Sequence, residues 1–254
     1  EVMSQPWEIY DALLDGLPGD VVVRAAGQGP RWSRVLNSAG GVGTAWTMDV
    51  RSRPALAEGP LEDRPLRDVA ALVKSWNLAE ASIGQAAINS WYSREETAAA
   101  NGFEPTGEGT TWRQVFDPYR EMIIGKKVAV IGHFPFAEAA LATAGEYICL
   151  ERNLQPGDWP DSACEYVLPE CDLVFISSSS FVNKTAPRLI ELSRQAHTVL
   201  VGPSTPLNPV LLDYGVDTIT GFVAARSLSD PVSLAEMVPA GDIGPGFRVH
   251  RHRA

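Results

Sequence analysis

The stretch Lys127-Val128-Ala129-Val130-Ile131-Gly132-His133 joins a short run, apolar after its lysine, to a glycine and a histidine with no spacer. A run this brief with no polar alternation reads as a strand buried on both faces, which is what a parallel sheet requires. Four similar runs follow: Tyr147-Ile148-Cys149-Leu150, Leu173-Val174-Phe175-Ile176, Thr198-Val199-Leu200-Val201 and Asp217-Thr218-Ile219-Thr220. Helical patterns separate them at residues 137–144, 187–196 and 209–214, the last with Asn208 as cap and Pro209 at the first helical position. Strand alternating with helix is the βαβ pattern, so the second half is predicted to be a Rossmann-like, doubly wound parallel sheet.

Upstream the period changes. Trp7, Tyr10, Leu13 and Leu14 stand at helical spacing before Leu17-Pro18-Gly19-Asp20 ends the pattern. β-rich stretches at 21–26, 33–37 and 42–47, separated by Gly27-Gln28-Gly29-Pro30 and Ala39-Gly40-Gly41, predict an antiparallel meander. Residues 65–92 turn helical, with a break at Lys74-Ser75-Trp76 and a fresh start at Asn77-Leu78-Ala79-Glu80, where asparagine caps and glutamate stands three residues on. Residues 101–117 show no period and are expected to connect two domains, 1–120 (α+β) and 121–254 (Rossmann-like).

A formal net charge of −10 argues against a nucleic-acid partner, whose phosphates call for a basic surface. No run of about 18 apolar residues is present to span a membrane, and no charged-then-apolar leader opens the sequence, so a cytoplasmic protein is expected. Three cysteines without a C-x-x-C pair suit reduced thiols better than disulfides or a cysteine-rich zinc site. A homo-oligomer is left open.

In an open parallel sheet ligands bind beyond the carboxyl ends of the strands. The residues there are Gly132, His133, Phe134 and Pro135 after the first run, Glu151 after the second, Ser177, Ser178 and Ser179 after the third, and Gly202, Pro203, Ser204 and Thr205 after the fourth. Glu151 lies 19 residues past Gly132, about the offset at which an acidic residue meets a ribose, although Phe134 replaces the second glycine of a dinucleotide loop. His133 is an acid–base or metal-ligand candidate, and His133 with Glu151 forms a weak metal pair. Lys184, at a helix start, and Lys74 and Asn77, at the helix break, are further ligand candidates, with His133 or Lys74 the candidate catalytic acid–base group. Each has a plainer reading: the glycine as a tight turn, the serines as turn and cap satisfiers, Asn77 as a cap, Thr185 as an N-cap and the lysines as solvated charges. Cys149 reads as core. His250-x-His252 faces one side if extended, but a frayed basic tail is the expectation.

With these residues in place the chain resembles the heavy-metal chelation family, built of two consecutive domains of unknown function. The matching stretches are Trp7-Glu8-Ile9-Tyr10-Asp11, Val73-Lys74-Ser75-Trp76-Asn77, Glu80-Ala81-Ser82-Ile83-Gly84, Gly132-His133-Phe134-Pro135, Leu168-Pro169-Glu170-Cys171-Asp172, Asn183-Lys184-Thr185 and Val201-Gly202-Pro203-Ser204-Thr205-Pro206. The resemblance implies a first domain similar to the N-terminal domain of enolase, a Rossmann-like second domain and a site in the cleft between them. Two readings follow from the residues and the resemblance together. One is a binding protein for a small anionic ligand or a metal complex, with a divalent metal as its ion. The other is an enzyme of transferase or lyase type using an adenosyl ligand, S-adenosylmethionine or a nucleotide. A non-enzymatic interaction module is the third, plainer alternative.

Overall fold

The structure, a computed structural model, describes residues 5–107 and 113–254. The apolar spacing of Ile9, Tyr10 and Leu13 gives helix α1 (Glu8–Asp15) one buried face. The meander follows as β1 (Val23–Gln28), β2 (Trp32–Asn37) and β3 (Val42–Trp46), an antiparallel sheet in the order β1-β2-β3. Next come α2 (Leu66–Ala70), a 3-10 turn at Ala71–Lys74, and the long α3 (Leu78–Tyr92). The break at Ser75 is real, and Asn77 restarts the helix by accepting the Glu80 N–H at 3.1 Å. Helix α4 (Glu95–Ala100) closes this part.

The connector predicted at 101–117 is partly structured. Glu104–Pro105 forms β4, which pairs with the last strand of the large sheet, and Arg113–Phe116 forms α5; residues 108–112 lie outside the described residues. A backbone with unpaired edge groups takes pairing where it is offered, even in so short and polar a segment.

The five predicted runs all become strands of one eight-stranded sheet. These are β5 (Lys127–Ile131), β6 (Glu146–Glu151), the two-residue β7 (Trp159–Pro160), β8 (Leu173–Ser177), β9 (His197–Val201), β10 (Thr218–Ala224) and β11 (Gly246–His252). The order is β4-β11-β10-β9-β8-β5-β6-β7, parallel from β10 to β7, with β11 antiparallel to β10. Between β6 and β10 this is the doubly wound arrangement, and its direction of growth reverses at β5. The predicted intervening helices are shorter than the sequence pattern suggests, α6 (Ala137–Ala140), α8 (Ala186–Leu192) and α9 (Val210–Asp213), and a further short helix, α7 (Cys164–Val167), lies between the first two. Helix α10 (Pro231–Ala240) precedes β11. The segment expected to be a frayed tail is therefore a seven-residue strand. Thr185 gives no side-chain cap to α8; Asn183 instead accepts the Thr185 N–H at 3.2 Å and its hydroxyl at 2.6 Å.

Alternation along the strands sorts the core into two layers. Val128, Val130, Phe175, Val199 and Val201 pack on Phe116, Tyr119, Ile123 and Leu141. Ala129, Ile148, Leu150, Val174, Ile176 and Leu200 face a larger cluster that runs on without interruption to Ile9, Tyr10, Val35, Leu66 and Ile88 of the first half. Among the described residues, no helix is long and apolar enough to cross a membrane.

Candidate metal centre

At the carboxyl end of β5 the chain must turn sharply to leave the sheet. Gly132 does this at φ +101°, where a side chain would be strained and a Cβ would lie 3.1 Å from the Ser177 Cβ. Its N–H still bonds Leu150 O at 3.0 Å, continuing the pairing with β6. The turn carries His133 over the end of β6. There the register that sets Val130 beside Cys149 places the thiol beneath the imidazole, with Sγ 3.9 Å from Nδ1 and 4.0 Å from Nε2 of His133.

The third member comes from the turn before β7. His133 Nε2 lies 2.6 Å from Asp158 Oδ2, and that same oxygen accepts the Gln155 N–H at 2.7 Å. The Asp158 side chain is 5% exposed and that of His133 is 37% exposed, so the group is closed on the protein side and open on the other. The Gln155 N–H, and after it the His133 ring, hold the Asp158 carboxyl below its ordinary range. Burial, reinforced by the Asp158 and Glu151 carboxylates, pushes the Cys149 thiol up to about 12.

One donor atom each from His133, Cys149 and Asp158 lies within 4.8 Å of the others, and this is the one such His/Cys/Asp/Glu group among the described residues. The donor set fits a borderline-to-soft divalent cation: imidazole nitrogen, thiolate sulfur and one carboxylate oxygen, with a fourth position facing solvent. Tetrahedral zinc holds its ligand atoms about 3.3–3.6 Å apart. A bound cation would therefore require the His133–Asp158 contact to widen and the thiol to move inward.

The other residues singled out in the sequence divide between their own turns and the seam between the two halves. Glu151 accepts the N–H groups of Arg152 at 2.8 Å and Asn153 at 3.4 Å, capping its own turn outside the three-residue group. The Phe134 ring packs on Phe116 at 5.7 Å, and Pro135 is exposed. Ser177 and Ser179 bond each other at 2.8 Å, while the Thr205 hydroxyl lies 2.6 Å from Ser178 Oγ and 2.7 Å from Gly202 O. Ser204 accepts the Trp46 N–H at 2.8 Å, and Gly202 and Pro203 are buried with it. Lys74 pairs with Asp11 and sits over the Trp7 ring. Asn77 adds a bond from its amide to Arg53 O at 3.0 Å. Lys184, at φ +66°, donates to Ser75 O at 2.6 Å and lies 4.8 Å from the Trp76 ring centre; burial lowers its pKa to about 8.

Sequence reasoning found His133 and missed Cys149 and Asp158. Cys149 sits two residues before Glu151, so alternation puts both on one face of β6, and that was the available signal. Asp158 arrives through an aperiodic turn, for which the sequence offers none.

The chain matches two family profiles, both described as "Putative heavy-metal chelation": DUF4213 over residues 10–92 and DUF364 over residues 114–247. Among solved structures it is similar to a protein of unknown function of the DUF364 family from Desulfitobacterium hafniense DCB-2. The two are 36% identical over 97% of this chain and 98% of the other, with a TM-score of 0.85. A DUF364-family protein of unknown function from Pyrococcus horikoshii shares the fold at 20% identity, covering 98% of this chain and 99% of the other, with a TM-score of 0.76. No curated protein matches the chain.

Proposed function

Since the chain belongs to the DUF364 family, we propose that it binds a thiophilic divalent cation through His133, Cys149 and Asp158. The observation that carries this reading is the convergence of three unlike donors at one strand end. The imidazole is positioned by the Gly132 turn, the carboxylate by the Gln155 N–H, and the thiol by the rigid β5–β6 register. A bound cation would act as a Lewis acid or as a held cargo; the residues themselves supply charge, orientation and a water-accessible fourth position. That opening leaves room for a donor atom from a small anionic ligand, so a metal complex can be held as readily as a bare ion.

The test is cadmium titration of protein purified without a histidine tag, following the near-ultraviolet thiolate-to-metal absorption. One equivalent should produce the band. Cys149→Ser and His133→Ala should abolish it or weaken uptake at least tenfold, whereas Glu151→Gln should leave it intact. A Cys149→Ser variant that binds cadmium as tightly as the parent protein sinks the assignment.

A further inference from the structure

Arg34 of β2 is the largest side chain that is fully buried among the described residues. Its cross-strand partner in β3 is Thr44, 3% exposed, and strand alternation puts both on the face that carries Leu36 and Val42. Those two pack on Leu228 and Leu234 from the second half, and helix α10 lies across β1 and β2. The arginine charge therefore stands in an apolar layer where the two halves meet. Arg24, Arg188 and Arg226 pair with carboxylates at the surface, whereas Arg34 forms no ion pair with a described residue.

A guanidinium carries five N–H bonds and no acceptor. The two on Nη2 go to Asp242 O at 2.5 Å and Ile243 O at 2.6 Å, in the turn between α10 and β11. Nε and Nη1 are buried without an acceptor among the described residues, and the Thr44 hydroxyl on the same face is likewise without a partner. Asp242 has a carboxylate, but that residue is exposed and its Oδ1 accepts the Gly244 N–H at 3.3 Å. Burial lowers the Arg34 pKa and the Asp242 charge only partly opposes it, so the protein's own groups do not offset the lost hydration of the cation. Buried polar groups without partners are rare in folded proteins, and each points to a bound water or ion.

We propose that Arg34 and Thr44 form a binding site for a small monovalent anion of halide size, held where the β2–β3 pair meets the α10–β11 turn. The donors select the charge: guanidinium N–H bonds and a hydroxyl all offer protons, and one uncompensated positive charge calls for one negative charge. The walls select the size, because Leu36, Val42, Leu228 and Leu234 are each at most 5% exposed and close the layer against a bulky oxyanion. A water molecule would take the same hydrogen bonds and leave the charge uncompensated. The site shares no residue with the group at His133, Cys149 and Asp158. Its occupant would tie the first half to the last turn of the second.

Thermal unfolding of the whole chain at constant ionic strength, with chloride replacing gluconate, tests the assignment. Gluconate is too bulky for a closed layer, and an anion bound by the native state alone raises the midpoint as its concentration grows. The parent midpoint should rise saturably by about 2–4 °C. Arg34→Met should show no such rise. Thr44→Val keeps the guanidinium and should need about tenfold more chloride for the same rise, having lost one hydrogen bond to a charged partner; it carries the test should Arg34→Met fail to fold. A crystal grown in bromide gives the position, as an anomalous peak in hydrogen-bonding contact with Arg34. The proposal is overturned by a parent midpoint that does not respond to chloride, by a response unchanged in either variant, or by water alone at Arg34 in the bromide crystal.

Discussion

Cys149 and Lys184 show how burial tunes single groups in this fold. A thiol pushed up to about 12 holds its proton at neutral pH, and a metal ligand must lose it. Cadmium binding should therefore release a proton from Cys149, and apparent affinity should climb about tenfold per pH unit between pH 6 and 8 for that one proton. Calorimetry in two buffers of different ionisation enthalpy measures the release directly, and a buffer-independent heat would contradict it. Lys184 moves the other way, to about 8, because its amine is desolvated between Ser75, Val182 and Trp76. Between about 8 and the ordinary lysine value near 10.4, the unfolded chain holds a proton that the folded chain has given up, so stability rises with pH across that window. Relative to Lys184→Met, the parent protein should gain in urea midpoint from pH 7.5 to pH 10; an unchanging difference would show that the amine is not desolvated in solution. Of the candidate site, the strand-end position of His133 was legible in the sequence. Its partners were not, since Cys149 is a buried core residue like its neighbours Ile148 and Leu150, and Asp158 is delivered by a turn.

At the level of elements, what could be read was what has a period. The five buried runs and the capped restart at Asn77 were legible because burial on both faces and N-capping each leave a local signature. Strands β4, β7 and β11 were not. Two of them are two residues long, and β11 alternates charge with apolar residues as an edge-facing strand does, which in sequence resembles a polar tail. The glycines of the first half tell a packing story that the sequence only hints at. Helix α3 lies so close to its neighbours that a Cβ on Gly84 would sit 2.1 Å from Val73 N, and one on Gly43 of β3 would sit 1.8 Å from Ala86 O. Both obstacles are backbone and cannot swing aside. Ala gains helix propensity over Gly, about 1 kcal/mol, but overpacking costs about 1–3 kcal/mol or more. Gly84→Ala should therefore be net destabilising despite its helical position, as a lowered urea midpoint, whereas a stabilised variant would mean that the helix stands further off.

The whole molecule behaves as one packed body although two family profiles divide it. The apolar cluster beginning at Ile9 continues into β6, β8 and β9. Polar bonds stitch the same seam: Tyr10 OH to Phe181 O at 2.7 Å, Trp46 N–H to Ser204 Oγ at 2.8 Å, and the Asn89 amide to Ser204 O at 2.9 Å. At the rim Arg226 reaches Glu95 at 3.0 Å and Glu96 at 2.5 Å, exposed pairs that contribute little by themselves. The chain also interleaves. Strand β4, from the first half, completes the large sheet, and the buried guanidinium of Arg34 on β2 donates to Asp242 O at 2.5 Å and Ile243 O at 2.6 Å, just before β11. Neither half can leave without exposing apolar surface and orphaning buried donors, each of which costs about 1–3 kcal/mol. Thermal unfolding should accordingly be a single transition with equal calorimetric and van't Hoff enthalpies. Residues 1–120 expressed alone should show no cooperative transition, because the partners of Tyr10, Trp46 and Asn89 lie in the missing half. Two resolved transitions in the whole chain, or a sharp one in the fragment, would show that the seam joins two independently stable domains.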